Sequence, residues 1–168
     1  MLVAAASAVF LPQLASLEPA LPHYRAVETL GAGGTTLTDD NLVDAMNKLP
    51  FSLVIDSVGW KNRVLSLDLK VTGNDHEPKE LYQNMALAIS FAFQETENVD
   101  QLLLRVVAED KWLDSRRLLL AGDIRRGEWS LQLQQALQTS GNQPLAASLK
   151  NGFRISESEL WRKQFIYP

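Results

Sequence analysis

Between Val64 and Val107 the hydrophobic period of the chain changes twice, and this limits what it can fold into more than any other feature. Leu65, Leu67, Leu69 and Val71 alternate with Ser66, Asp68 and Lys70, the period of two that gives a strand one dry and one wet face. Leu81, Tyr82, Met85, Ala88, Ile89, Ala92 and Phe93 then recur at helical spacing behind Pro78, which suits a first helical turn. Residues 101 to 108, "QLLLRVVA", return to a short apolar run, β-branched towards its end, which predicts a strand buried on both faces. Upstream, Leu53 and Ile55 alternate in the same way, and a turn around Gly59 to Arg63 joins two strands as a hairpin. Asp56 and Asp68 lie on these neighbouring strands, and the alternation predicts that each faces water instead of forming a catalytic pair.

The segment "LTDDNLVDAMNKLP" carries helix start and stop signals. Thr38 can cap free amides, Asp39 and Asp40 stand in the first turn, Leu37 and Leu42 form a hydrophobic staple, and Pro50 follows the end. Leu42, Val43, Met46 and Leu49 are expected on its buried face. Residues 111 to 138 read either as two successive helices, the first ending at Gly122, or as a second hairpin, because Trp129, Leu131 and Leu133 alternate while Leu133 and Leu137 suit a helix. "NQPLAASLKNG" predicts a short helix with Gly152 as terminator, and Ser156 with Glu159 forms a capping box for a last one, stapled by Ile155 and Leu160. The expected fold class is α+β: a helix-strand-strand-helix-strand two-layer sandwich with additional C-terminal helices or a hairpin. Residues 37–168 are expected to form this single domain, with a C-terminal extension from about 109.

Residues 1–36 read differently. "MLVAAASAVFLPQLAS" has no charged side chain before Glu18, and its apolar run is broken by Pro12 and Gln13. A membrane-spanning helix needs about 20 apolar residues, and a signal peptide needs basic residues before its core. Two readings remain: the end of a membrane anchor, or a helix that packs on the domain or a partner. The first is favoured because "LVAAASAVFL" has no polar face to keep wet. Pro12, Pro19 and Pro22, then Gly31, Gly33 and Gly34, make the rest a linker.

Composition excludes several chemistries. The chain has no cysteine, which removes disulfides, thiolate metal sites and cysteine nucleophiles. A net charge of −4 with only small basic clusters, Arg116 with Arg117 and Arg125 with Arg126, gives no footprint for nucleic acid. His23 and His76 stand without spaced partners, and no nucleophile elbow accompanies them. "GAGGTTLTDD" sits where a phosphate-cradling loop would, but Gly34 is followed by Thr35 and Thr36 where a lysine is required, and Asp39 and Asp40 place negative charge where the phosphate would lie. It reads as a hinge and a helix cap. Asp75, His76 and Glu77 are adjacent, and consecutive loop residues do not converge on one ion, so they read as the acidic start of the long helix. No catalytic, cofactor-binding or metal residue is assigned, and no cofactor is expected.

The stretches "RVLSLDLKV" and "KELYQNMALAISFAFQETENVDQLLLRVV" resemble the GerM-type domain of spore-forming bacteria and the broader ring-building motif of secretion and sporulation assemblies. Val64 to Val71, Leu81 to Phe93 and Val99 to Val107 take the places of that pattern's strand, helix, and turn with strand. The resemblance spans residues 37–108. Ala108 and Glu109 stand where the family often has glycine. It implies a non-enzymatic assembly or scaffolding domain that works by protein–protein contact or self-assembly. It also implies an extracytoplasmic location, tethered to a membrane by the N-terminal segment. The candidate partner-binding residues are Trp60, near the hairpin tip, with Arg125, Arg126 and Trp129. The competing readings are an aromatic folded onto the sheet and a solvated basic face. The alternative function is a small enzyme or ligand-binding module, its site in the C-terminal third and built from carboxylates with Arg116, Arg117 or Arg125.

Overall fold

The computed structural model describes residues 34–73, 75–110 and 115–167. The membrane-anchor expectation for residues 1–17 and most of the linker therefore lie outside the described residues. So does Trp112.

The expected alternation forms a hairpin of β1 (Val54–Lys61) and β2 (Val64–Val71). Its turn is tighter than the sequence suggested: Gly59 stays inside β1, paired with Ser66, and only Asn62 and Arg63 reverse the chain. Both have positive φ, 50° and 66°, the geometry a two-residue hairpin turn requires. Arg63 is held there by Asp100, whose carboxylate accepts from Nε at 2.5 Å and Nη2 at 2.9 Å and whose backbone N–H donates to the Arg63 carbonyl at 2.8 Å.

Helix α2 (Pro78–Ser90), continued by a π-helical turn at Phe91–Glu95, crosses from β2 to the parallel strand β3 (Gln101–Asp110). Strand β4 (Ser115–Arg125) returns antiparallel to β3, and the two-residue β5 (Ser156–Glu157) closes the far edge. The five-stranded sheet has the order β1-β2-β3-β4-β5. With α1 (Leu42–Asn47), α3 (Leu131–Gln138), α4 (Ala147–Gly152) and α5 (Glu159–Trp161), the domain is α+β. Among the described residues no helix is long and apolar enough to cross a membrane.

Leu65, Leu67 and Leu69 of β2 stand in register with Leu102, Leu104 and Val106 of β3, and all six are buried. Leu81, Tyr82, Met85 and Ile89 of α2 are buried in the same core. Each large side chain of this kind contributes roughly 1.5–3 kcal/mol. On the other face of β3, Leu103 is 40% exposed and Arg105 is exposed, and only Val107 is buried. β3 is therefore not buried along both faces.

Residues 115–138 form one strand and one helix instead of two of either. Val106 pairs with Leu120 and Val107 with Leu118, so Leu119 is a bulge residue. The bulge lets both Leu119 and Leu120 bury fully, which breaks the period of two and hides the strand in the sequence. Capping follows the sequence at one end of the domain and departs from it at the other. Thr38 Oγ1 accepts from the Asn41 N–H at 3.3 Å while Asn41 Oδ1 accepts from the Thr38 N–H at 2.8 Å, a reciprocal box that opens the turn before α1. Leu37 and Leu42 are buried beneath it, but Val43 is 58% exposed. At α5 the cap is Ser158, whose Oγ accepts from the Trp161 N–H at 3.0 Å; Ser156 belongs to β5.

Candidate functional site

One row of side chains crosses the uncovered face of the sheet. Register places Ser57, Asp68, Arg105, Ala121 and Ser156 side by side, one from each strand. Ser66 and Leu103 border the row on one side. The serines and Ala121 are too short to fill the surface, and the result is an open depression of about 410 Å³ whose rim includes Asp123 and Arg154.

The middle of the row is an ion pair. Asp68 Oδ1 accepts from Arg105 Nε at 2.7 Å, and Oδ2 accepts from Arg105 Nη2 at 2.5 Å and from the Ser57 hydroxyl at 2.8 Å. Burial pushes the Asp68 carboxyl upward, but the hydrogen bonds from Arg105 and Ser57 and the charges of Arg105 and Arg116 outweigh it and hold the group below the usual aspartate range. Asp68 is thus a fixed anion that orients a guanidinium.

A second pair lies beside the first. The β1 bulge between Ile55 and Ser57 sets Asp56 out of register, and its Oδ2 lies 2.9 Å from Arg116 Nη1 of β4. The contact is an ion pair whose angle does not make a hydrogen bond. Lys70 Nζ lies 3.8 Å from Asp56 and 3.4 Å from Glu109. Asp56 and Asp68 therefore do not face water: cations from β2, β3 and β4 close over them.

The four residues singled out in the sequence fall elsewhere. Trp60 is partly buried against the core and pairs with Leu65, so its ring lies on the sheet. Arg125 is exposed at the end of β4, opposite Gln101. Arg126 turns inward: Nε donates to the Val99 carbonyl at 2.6 Å, Nη1 to Phe93 at 3.1 Å, and Nη2 to Ala92 at 3.0 Å and Thr96 at 2.8 Å. Its guanidinium also sits 5.4 Å over the Phe93 ring. Trp129 packs 6.2 Å from the same ring and donates Nε1–H to Gln134 at 2.9 Å. Arg126 and Trp129 thus meet at Phe93, with Trp60 on the far side of β2 and β3, and none of the four lines the depression. Of the arginines proposed for an enzyme site, Arg116 joins Asp56, and Arg125 stands apart from the depression.

The other candidate motifs are occupied by structure. His76 Nδ1 lies 2.8 Å from Glu80 Oε2 and Nε2 lies 3.3 Å from the Thr72 carbonyl, while Glu77 accepts from Asn142 at 3.1 Å. Among the described residues no three metal-ligating side chains converge. In the glycine stretch, the Thr35 N–H donates to the Glu95 carbonyl at 2.7 Å, and a Cβ on Gly34 would stand 2.8 Å from Glu97 Cγ. Gly34 is thus a close-approach glycine where the chain joins the end of the π-helical turn.

The residues that sequence reasoning passed over are Ser57, Arg105, Leu103 and Leu118, the last 42% exposed on the same face. The readable signal was Arg105 itself: a charge inside "LLLRVV" marks a strand face that meets water. Against this geometry, no protein-family model, no characterised protein and no solved structure matches the chain.

Proposed function

We propose that the domain is a non-enzymatic assembly or scaffolding module of a bacterial envelope or sporulation complex, and that its partner docks on the uncovered face of the sheet. A single observation carries this reading: among the described residues the helices pack on one side of the five-stranded sheet, and its other side exposes Leu103 and Leu118 among orienting ion pairs. Apolar anchors ringed by polar groups are the usual makeup of a docking patch. The resemblance to GerM-type and ring-building domains supports the same reading. So does the apolar, proline-punctuated N-terminal segment, which suits a tether between a membrane and the domain.

The depression also has the volume of a small-ligand site, which favours the ligand-binding alternative in the same place. Its chemistry favours docking: Asp68 is held ionised with both oxygens engaged, and a carboxylate below its usual range is a weak general base. Photo-crosslinking decides between them. A benzophenone side chain at Leu103 should trap the chain in a higher-mass protein adduct in its host, while one at Gln83 on α2 should not. Adducts from Gln83 alone would sink the reading.

A further inference from the structure

We infer from the layering of charge on the uncovered sheet face that its partner is an acidic protein segment. The inference rests on the docking reading and adds the chemistry of the occupant.

Asp68 with Arg105 and Asp56 with Arg116 sum to zero charge, but their charges are not level. The side chains of Asp68 and Asp56 are 9% and 6% exposed, whereas those of Arg105 and Arg116 are 60% and 64% exposed. The carboxylates form the floor and the guanidiniums face solvent. A partner therefore meets the cations at contact distance and the anions only through them, and the nearer charge dominates. Two further anions of this face, Glu109 and Asp123, are engaged by their own partners. Glu109 is drawn down to Lys70 at 3.4 Å, and Asp123 accepts from Gln101 Nε2 at 2.6 Å.

The arginines also keep donors to give. A guanidinium carries more N–H groups than one carboxylate can accept. Arg105 uses Nε and Nη2 on Asp68, which leaves Nη1 for a second carboxylate. Arg116 touches Asp56 without an aligned hydrogen bond. Because Asp68 fixes the Arg105 fork before any partner arrives, binding costs less side-chain freedom than it would at a mobile arginine. Leu103 precedes Arg105 by two residues on the same strand face, and Leu118 lies beyond it on β4. An extended segment whose every second side chain, those on one face, alternates between carboxylate and apolar has the matching period. Nucleic acids and anionic lipids share the negative charge but do not set apolar side chains two residues from a carboxylate along one strand face.

The test uses the full chain and a fluorescent strand-length peptide in which glutamate and leucine alternate at every second position with serine between them. Its lysine–leucine counterpart, a single-stranded oligonucleotide and phosphatidylglycerol vesicles serve as rivals. The acidic peptide should bind at least about tenfold tighter than each rival and lose affinity between about 0.05 and 0.5 M salt. Its amide shifts should centre on Leu103, Arg105 and Leu118. Ala121→Glu, which sets a carboxylate directly opposite Arg105, should weaken the acidic peptide about tenfold. The same-sized Ala121→Gln should leave it within about twofold and so controls for packing. Equal effects of the two variants, or tighter binding of oligonucleotide or vesicles, would overturn the acidic-partner inference. Binding of the lysine peptide to the same residues with equal affinity would overturn it too but leave the docking face standing. Shifts confined to the helical side would overturn both.

Discussion

Arg126 shows how far a single residue can stand from what its neighbourhood in sequence suggests. In "DIRRGEW" it is indistinguishable from Arg125, yet it donates to four carbonyls where α2 ends in its π-helical turn and the chain turns into β3. Cations at a helix C-terminus also complement its dipole. Arg126→Ala is expected to cost about 2–4 kcal/mol and lower Tm by roughly 10 °C, with Arg125→Ala near neutral. A thermal melt in which the two substitutions match would contradict this. Nothing local in the sequence separates the two arginines, because the acceptors lie 27 to 34 residues upstream.

Elements are joined by carboxylates whose titration is legible from their surroundings. Asp68 ties β2 to β3, and Glu80 on α2 accepts from Ser52 Oγ at 2.7 Å, tying the helix to the entrance of β1. Burial pushes Glu80 upward, but hydrogen bonds from Ser52 and His76 outweigh it and leave it below the usual glutamate range. Both groups thus have lower pKa values folded than unfolded. Their stabilisation is complete above the unfolded values, about 4, and is lost as pH falls through the folded ones. Urea midpoints should therefore drop from pH 5 towards about pH 3, and Asp68→Asn should flatten that decline. An unchanged slope in the variant would show that Asp68 does not contribute to it. At this scale the order of helix, strand, strand, helix and strand was readable up to residue 108 because its periods are clean. The Asp56 and Leu119 bulges were not readable, since an inserted residue shifts the alternation that strand recognition depends on.

At the scale of the domain, the sequence predicted two layers, and the described residues form a sheet with helices packed on one side. What it could not indicate is that the row Ser57, Asp68, Arg105, Ala121 and Ser156 exists at all, because its members come from five strands spread over a hundred residues of chain. Periodicity assigns a residue to a face, and only register assigns it to neighbours. The central claim is that this face holds a protein partner. The most direct measurement is the native-gel mobility of the complex formed in the host by three versions of the chain. Leu103→Ser with Leu118→Ser, placed among serines the sheet already carries, should run as free chain with an unchanged melt, while wild type and Gln83→Ser remain in the complex. An intact complex in the double serine variant would contradict the account.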